Sequence, residues 1–238
     1  TVFGIAGLMF IGACFCLYAI HARPEPQKRE PATLEAALAG IHFMREKPVI
    51  LGAISLDLFA VLLGGASALL PVYAHDILMT GPWGLGVLRS AISVGAILMA
   101  IVLARYPVNR NSGRLMLISV AVFGLTIIVF GLSTNFWLSL GALLVMGASD
   151  MISVYIRQTL VQSETPDAMR GRVSAVSTVF IGASNELGEF ESGMMAAALG
   201  TVPSVVIGGI GTLIVVALWA KFFPSLRDRD RLLSDAAE

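Results

Sequence analysis

Residues 173–199 read VSAVSTVFIGASNELGEFESGMMAAAL, an apolar run long enough to cross a bilayer that nonetheless carries Glu186, Glu189 and Glu191. Placing one charge at the centre of a bilayer costs roughly 2.5–3.5 kcal/mol on insertion scales, so these carboxylates need a polar interior, a partner or a bound proton. At about 100° per residue, Asn185, Glu186 and Glu189 share one helical face, while Glu191 lies about 200° round from Glu189. Counted from Arg172, Glu186 sits about 20 Å and Glu189 about 25 Å along the helix, beyond the midplane. Two neighbouring carboxyl groups at that depth suit reversible protonation, which makes Glu186 and Glu189, backed by Asn185, the coupling candidates. Permanent pairing with Arg89, or capping of a helix broken at Gly188 and Gly193, is the alternative.

The rest of the chain supplies the membrane. Apolar residues make up 56% of the 238 and charged residues 13%, with a mean hydropathy of +0.82, values that fit an all-α polytopic membrane protein and not a soluble domain. Nucleic acid is not an expected partner; the lipid bilayer is. Runs near 1–20, 49–72, 84–104, 115–133, 136–157, 172–199 and 202–223 are each long enough to span about 30 Å, giving about seven transmembrane helices. Pro48 and Pro203 suit first turns, while Pro71, Pro107 and Pro224 stand where helices should stop. Glycines at 64 and 65, at 182, 188 and 193, and at 208, 209 and 211 permit close helix approach. Cys14 and Cys16 read as small buried apolar residues, not as a metal or disulfide pair.

With these spans, fifteen of sixteen Lys and Arg residues fall on one side and Arg89 alone on the other. The positive-inside rule makes the crowded side cytoplasmic, with the C-terminus there and the protein a multi-pass component of the inner or plasma membrane. Between the first two spans, Leu34, Leu38, Ile41 and Met44 recur at helical spacing opposite Glu35, His42 and Glu46, as in a short docking helix within the linker 21–48.

Other polar residues within the spans extend the candidate site. Asp57 lies on a small-residue face with Ala53, Ala60, Gly64 and Ala68, positioned either for transport or for hydrogen bonding to a neighbouring helix. Asp150 and Arg157 share a face about 10 Å apart; Arg157, at the expected end of its span, reads as a snorkelling anchor, and Asp150 as the functional residue. Arg89 is a partner for Glu189, Glu191 or Asp76, or an attractor of anionic substrate. His21, His42 and His75 all lie outside the spans and no H-E-x-x-H or G-x-S-x-G occurs, so an enzyme is not expected.

Two stretches carry a family likeness: TPDAMRGRV at 165–173 and FIGASNELGEF at 180–190. Together they resemble the major facilitator superfamily, in particular its enterobactin-exporter-like and macrolide-efflux-like branch. The resemblance covers the chain as the end of helix six through helix twelve. It implies the last helix of an N-terminal half at 1–20, a linker at 21–48, a six-helix bundle at 49–224 and a cytoplasmic tail at 225–238. It further implies proton-coupled efflux of a siderophore-like or drug-like small molecule by alternating access, powered by the proton gradient with no other cofactor, in partnership with a missing N-terminal half. A non-transporting subunit or degenerate half-transporter is the alternative. Arg170, Arg172, Asp167 and Arg114 correspond to the family's cytoplasmic gate, with ordinary solvated loop charge as the other reading. The loop LARYPVNRNSGR at 103–114 keeps the basic residues of the family's Gly-x-x-x-Asp-Arg-x-Gly-Arg pattern but lacks its Asp.

Overall fold

Proline and capping residues set several of the helix ends. Pro48 opens a helix at its first position and Pro224 opens the last one, because a fixed φ and a missing N–H cost nothing in a first turn. Asn135 caps another, its side chain accepting from the amides of Trp137 (2.9 Å) and Leu138 (3.2 Å). The computed structural model describes residues 2–19, 34–108 and 110–230, and every regular element among them is helical.

Helix α1 (Val2–Ala19) belongs to a compact unit of its own. Cys14 and Cys16 are exposed on it, contrary to the expectation of burial, since a single helix offers its own side chains no cover. The second unit begins at Leu34. It contains α2 (Leu34–Glu46), α3 (Pro48–Leu63), a 3₁₀ turn (Ala66–Leu69), α4 (Leu70–Val72), a π turn (Tyr73–Ile77), α5 (Gly81–Arg105), α6 (Ser112–Leu132), α7 (Phe136–Glu164), α8 (Asp167–Leu199), α9 (Thr201–Phe222) and α10 (Pro224–Arg227).

Five stretches among the described residues are long and apolar enough to cross a membrane: Pro48–Ile77, α5, α6, α7 and α9. Helix α8, at 33 residues, has the length, but Glu186, Glu189 and Glu191 make it too polar to qualify on composition. Within α1, Gly7–Ala19 is a shorter apolar helix. The seven expected spans thus divide into five plain ones, one interrupted by carboxylates and one short.

Pro71 does not end its helix as expected. The helical path continues through it to Ile77, and the interruption falls earlier, at Gly64–Gly65, where the Ala66 amide turns back to the Gly64 carbonyl at 2.7 Å. The cause is a neighbour. A Cβ on Gly65 would stand 2.6 Å from the Gly188 carbonyl oxygen, and one on Gly188 would stand 2.9 Å from those of Val61 and Leu62. The chain at Gly64–Gly65 and α8 approach here almost backbone to backbone, with Ser192 Oγ beside Gly65.

Two buried clusters fill the bundle. At one end Leu70, Tyr73, Leu88, Phe130 and Leu143 pack together, with the Tyr73 hydroxyl donating to the Gly131 carbonyl at 2.9 Å. At the other, basic end, Leu56, Met116, Ile156, Leu160 and Leu226 do the same. A smaller cluster seats α2 through Met44 beside Ile50, Val161 and Val173. His42 and Glu46 pair at 3.1 Å on its exposed face as expected, but Leu38 is exposed too, so the apolar face of α2 is narrower than its spacing implies.

Candidate functional site

Asp57 is brought inside by the small residues around it: Ala53 and Ala60 on the same face of α3 are buried, and α7 and α9 pack closely there. Arg157 meets it from α7, its Nη2 3.3 Å from Asp57 Oδ2, with the two residues 4% and 6% exposed. This corrects the reading of Arg157 as a snorkelling anchor. Helix α7 does not stop near residue 157 but runs on to Glu164, which leaves the guanidinium about 10 Å short of the helix end and inside the bundle.

Asp150, half-buried on α7, faces the same crevice as Asp57 and lies within electrostatic reach of both Asp57 and Arg157. Ala60, Val61, Phe123 and Ser153 help to line the crevice, which has room for about one water molecule. Ser153 Oγ and Arg157 Nε, both buried, have no hydrogen-bond partner among the described residues. The Arg157 guanidinium pairs with Asp57, and Asp150 stands on the same crevice with no ion pair among the described residues. With both ionised the cluster carries a net negative charge in a low-dielectric interior, a state that costs several kcal/mol per uncompensated ion. One proton, or a cationic group entering the crevice, neutralises it.

The glutamates of α8 are placed differently. Helix α8 packs through Val176, Ser177, Ser184, Gly188 and Ser192, and Asn185, Glu186 and Glu189 stand exposed on the other side with Leu187 and Phe190. Neither glutamate forms an ion pair among the described residues, and Arg89, exposed on α5, is no partner to them. Helix α8 is continuous through Gly188 and Gly193, so the cap of a broken helix is not their role either. Glu191 is half-buried, apart from the other two. Asp76 pairs with its neighbour His75 at 2.5 Å and not with Arg89.

At the basic end, Asp167 and Arg170 pair at 2.6 Å, and Arg170 Nε also donates to the Gln162 carbonyl at 3.1 Å, tying the start of α8 to the end of α7. Arg172 lies one turn on, its Nη1 3.7 Å from Met169 Sδ. Arg114 is exposed at the start of α6, beside the C-terminal segment. There the Arg227 hydrogen bond holds the Asp228 carboxyl below the ordinary carboxylate range, and Arg114 adds to the effect. Asp167, Arg170 and Arg172 thus stand together at the start of α8, and Arg114 stands with the C-terminal segment.

A family model described as transmembrane secretion effector matches residues 1–236. Enterobactin exporters of Escherichia coli O1:K1 and Shigella boydii serotype 18 are each 28% identical over 211 residues, and that of Citrobacter koseri 29%. Each match covers 89% of this chain and 50% of the relative. The chain spans about half the length of the curated relatives it matches.

Proposed function

Since the chain belongs to the transmembrane secretion effector family of the major facilitator superfamily, we propose that it acts as the C-terminal half of a secondary transporter exporting a siderophore-like or drug-like small molecule against inward proton flow. The halves rock around a site near the middle of the membrane. The observation that carries this reading is the placement of a second carboxyl group, Asp150, on the crevice beside the buried Asp57–Arg157 pair. Asp57 keeps the arginine as its partner, and Asp150, across the crevice, takes and releases the proton.

The exposed face of α8 supports the second part of this reading. Asn185, Glu186 and Glu189 cannot face hydrocarbon cheaply, so they face the other half of the transporter and line the path between the halves, with Arg89 as a further polar contact for substrate. By the charge count the basic end is cytoplasmic, together with the C-terminus, and Asp167, Arg170, Arg172 and Arg114 stand at the inner gate.

The test uses the complete transporter in liposomes under an imposed pH gradient. Asp150→Asn is expected to abolish gradient-driven efflux of the exported compound while leaving its energy-independent exchange intact. Retention of normal proton dependence in Asp150→Asn removes the proton site from this cluster. Failure of the unaltered protein to move siderophore-like or drug-like compounds in either direction removes the transporter reading itself.

A further inference from the structure

The first amides of any helix need acceptors from outside it, and an acidic residue is the common supplier. The loop before α6 contains no acid. The C-terminal segment provides one: the Asn111 amide donates to Asp230 Oδ1 at 2.9 Å, the Ser112 amide to the Asp230 carbonyl at 3.2 Å and the Gly113 amide to the Arg229 carbonyl at 3.1 Å. Asn111 takes the left-handed conformation, φ 53°, to present its amide in this way. Gly113 is required by the closeness of the approach, since a Cβ there would stand 1.7 Å from the Leu226 carbonyl oxygen. Leu226 itself is fully buried among Leu56, Met116 and Ile156, and Arg229 forms an ion pair with Glu164, the last residue of α7.

We propose that Pro224–Asp230 is a clasp in which Asp230, anchored on the start of α6, sets Arg229 to position α7 through Glu164 and so to hold Arg157 and Asp150 at the level of Asp57; this rests on the reading of that cluster as the transport site. Near its start, α7 is held by Ala142, Leu143 and Met146 packed with α5 and α6, and at its end by Arg170 on the Gln162 carbonyl and by the ion pair of Glu164 with Arg229. Arg157 lies most of the way toward the Glu164 end. A tilt that frees that end displaces Arg157 almost as far as the end itself, whereas the pairing with Asp57 depends on a separation of 3.3 Å. The clasp reaches the site through α7 alone on one side and through Leu226 packed under α3 and α6 on the other.

The test needs no transport assay. In a Cys14→Ala, Cys16→Ala background, Ser153→Cys reports on the crevice and Ser139→Cys, equally buried at the far end of α7, is the control. Both are labelled in membranes with N-ethylmaleimide. Arg229→Glu is expected to speed labelling at position 153 roughly fivefold, the scale of a partly buried ion pair, and to leave position 139 unchanged. The exchange Glu164→Arg with Arg229→Glu is expected to return position 153 to its original rate. Unchanged labelling at 153 in Arg229→Glu overturns the proposal, as does equal acceleration at 139, which marks general loosening, or failure of the exchanged pair to restore the rate. A chain that labels as expected but does not transport refutes the transporter reading and leaves the clasp standing.

Discussion

The bundle treats its membrane-embedded carboxylates in two ways. On α3 and α7, Asp57 pairs with the buried Arg157 and Asp150 lines the crevice beside them. On α8, Glu186 and Glu189 are left on an uncovered face. The same side-chain chemistry is therefore satisfied internally in one place and awaits an external surface in the other. The first arrangement contributes to folding of this chain, whereas the second contributes only once something polar covers it.

That contrast is broken or sharpened by a graded set of substitutions. The largest effect is expected from Asp57→Ala, which strands a buried guanidinium and lowers stability by about 3–5 kcal/mol; thermal unfolding in detergent measures it, and adding Arg157→Met should recover most of the loss. Next comes Gly188→Val, which forces a side chain between α3 and α8 and is expected to cost about 1–3 kcal/mol by overpacking. The double change Glu186→Gln, Glu189→Gln is expected to stay within about 0.5 kcal/mol of the parent in the same measurement, because neither carboxylate has an ion-pair partner to lose among the described residues. A large shift in that variant would place those glutamates with the buried group. The smallest effect belongs to Asp228→Asn. The depressed carboxyl of Asp228 contributes stability above its unfolded pKa, and that contribution fades as pH falls through its lower folded value. Fully exposed, the pair it forms with Arg227 should leave no measurable shift at neutral pH, and a pH series of unfolding midpoints checks the sign.

Much of the fold was legible because its signals are local. Apolar length, proline at first turns and the charge count place most helices within a few residues. The site was legible in part. Asp57 stood out through its small neighbours, and Asp150 through its depth. Arg157 was misplaced because the apolar signal of α7 fades near it while the helix continues for two more turns through Gln162 and Glu164, polar residues that a hydropathy reading assigns to a loop. Its pairing with Asp57 depends on the register between two helices far apart in the chain, which no local pattern records. The bond from Asn111 to Asp230, across 119 positions, is hidden for the same reason. At α3, proline was the stronger stop signal, yet Pro71 sits harmlessly in a restarted turn, and the contact with Gly188 sets the interruption.

That interruption has a mechanical consequence. An unbroken helix transmits torque along its whole length, but two pieces joined at Gly64–Gly65 do not. The first piece, with Ala53, Leu56 and Ala60, is lodged among α6, α7, α9 and α10, while Leu69, Leu70 and Tyr73 on the second piece are lodged with α5 and the far ends of α6 and α7. A turn of the first piece, which carries Asp57, would therefore not have to be passed on to the second.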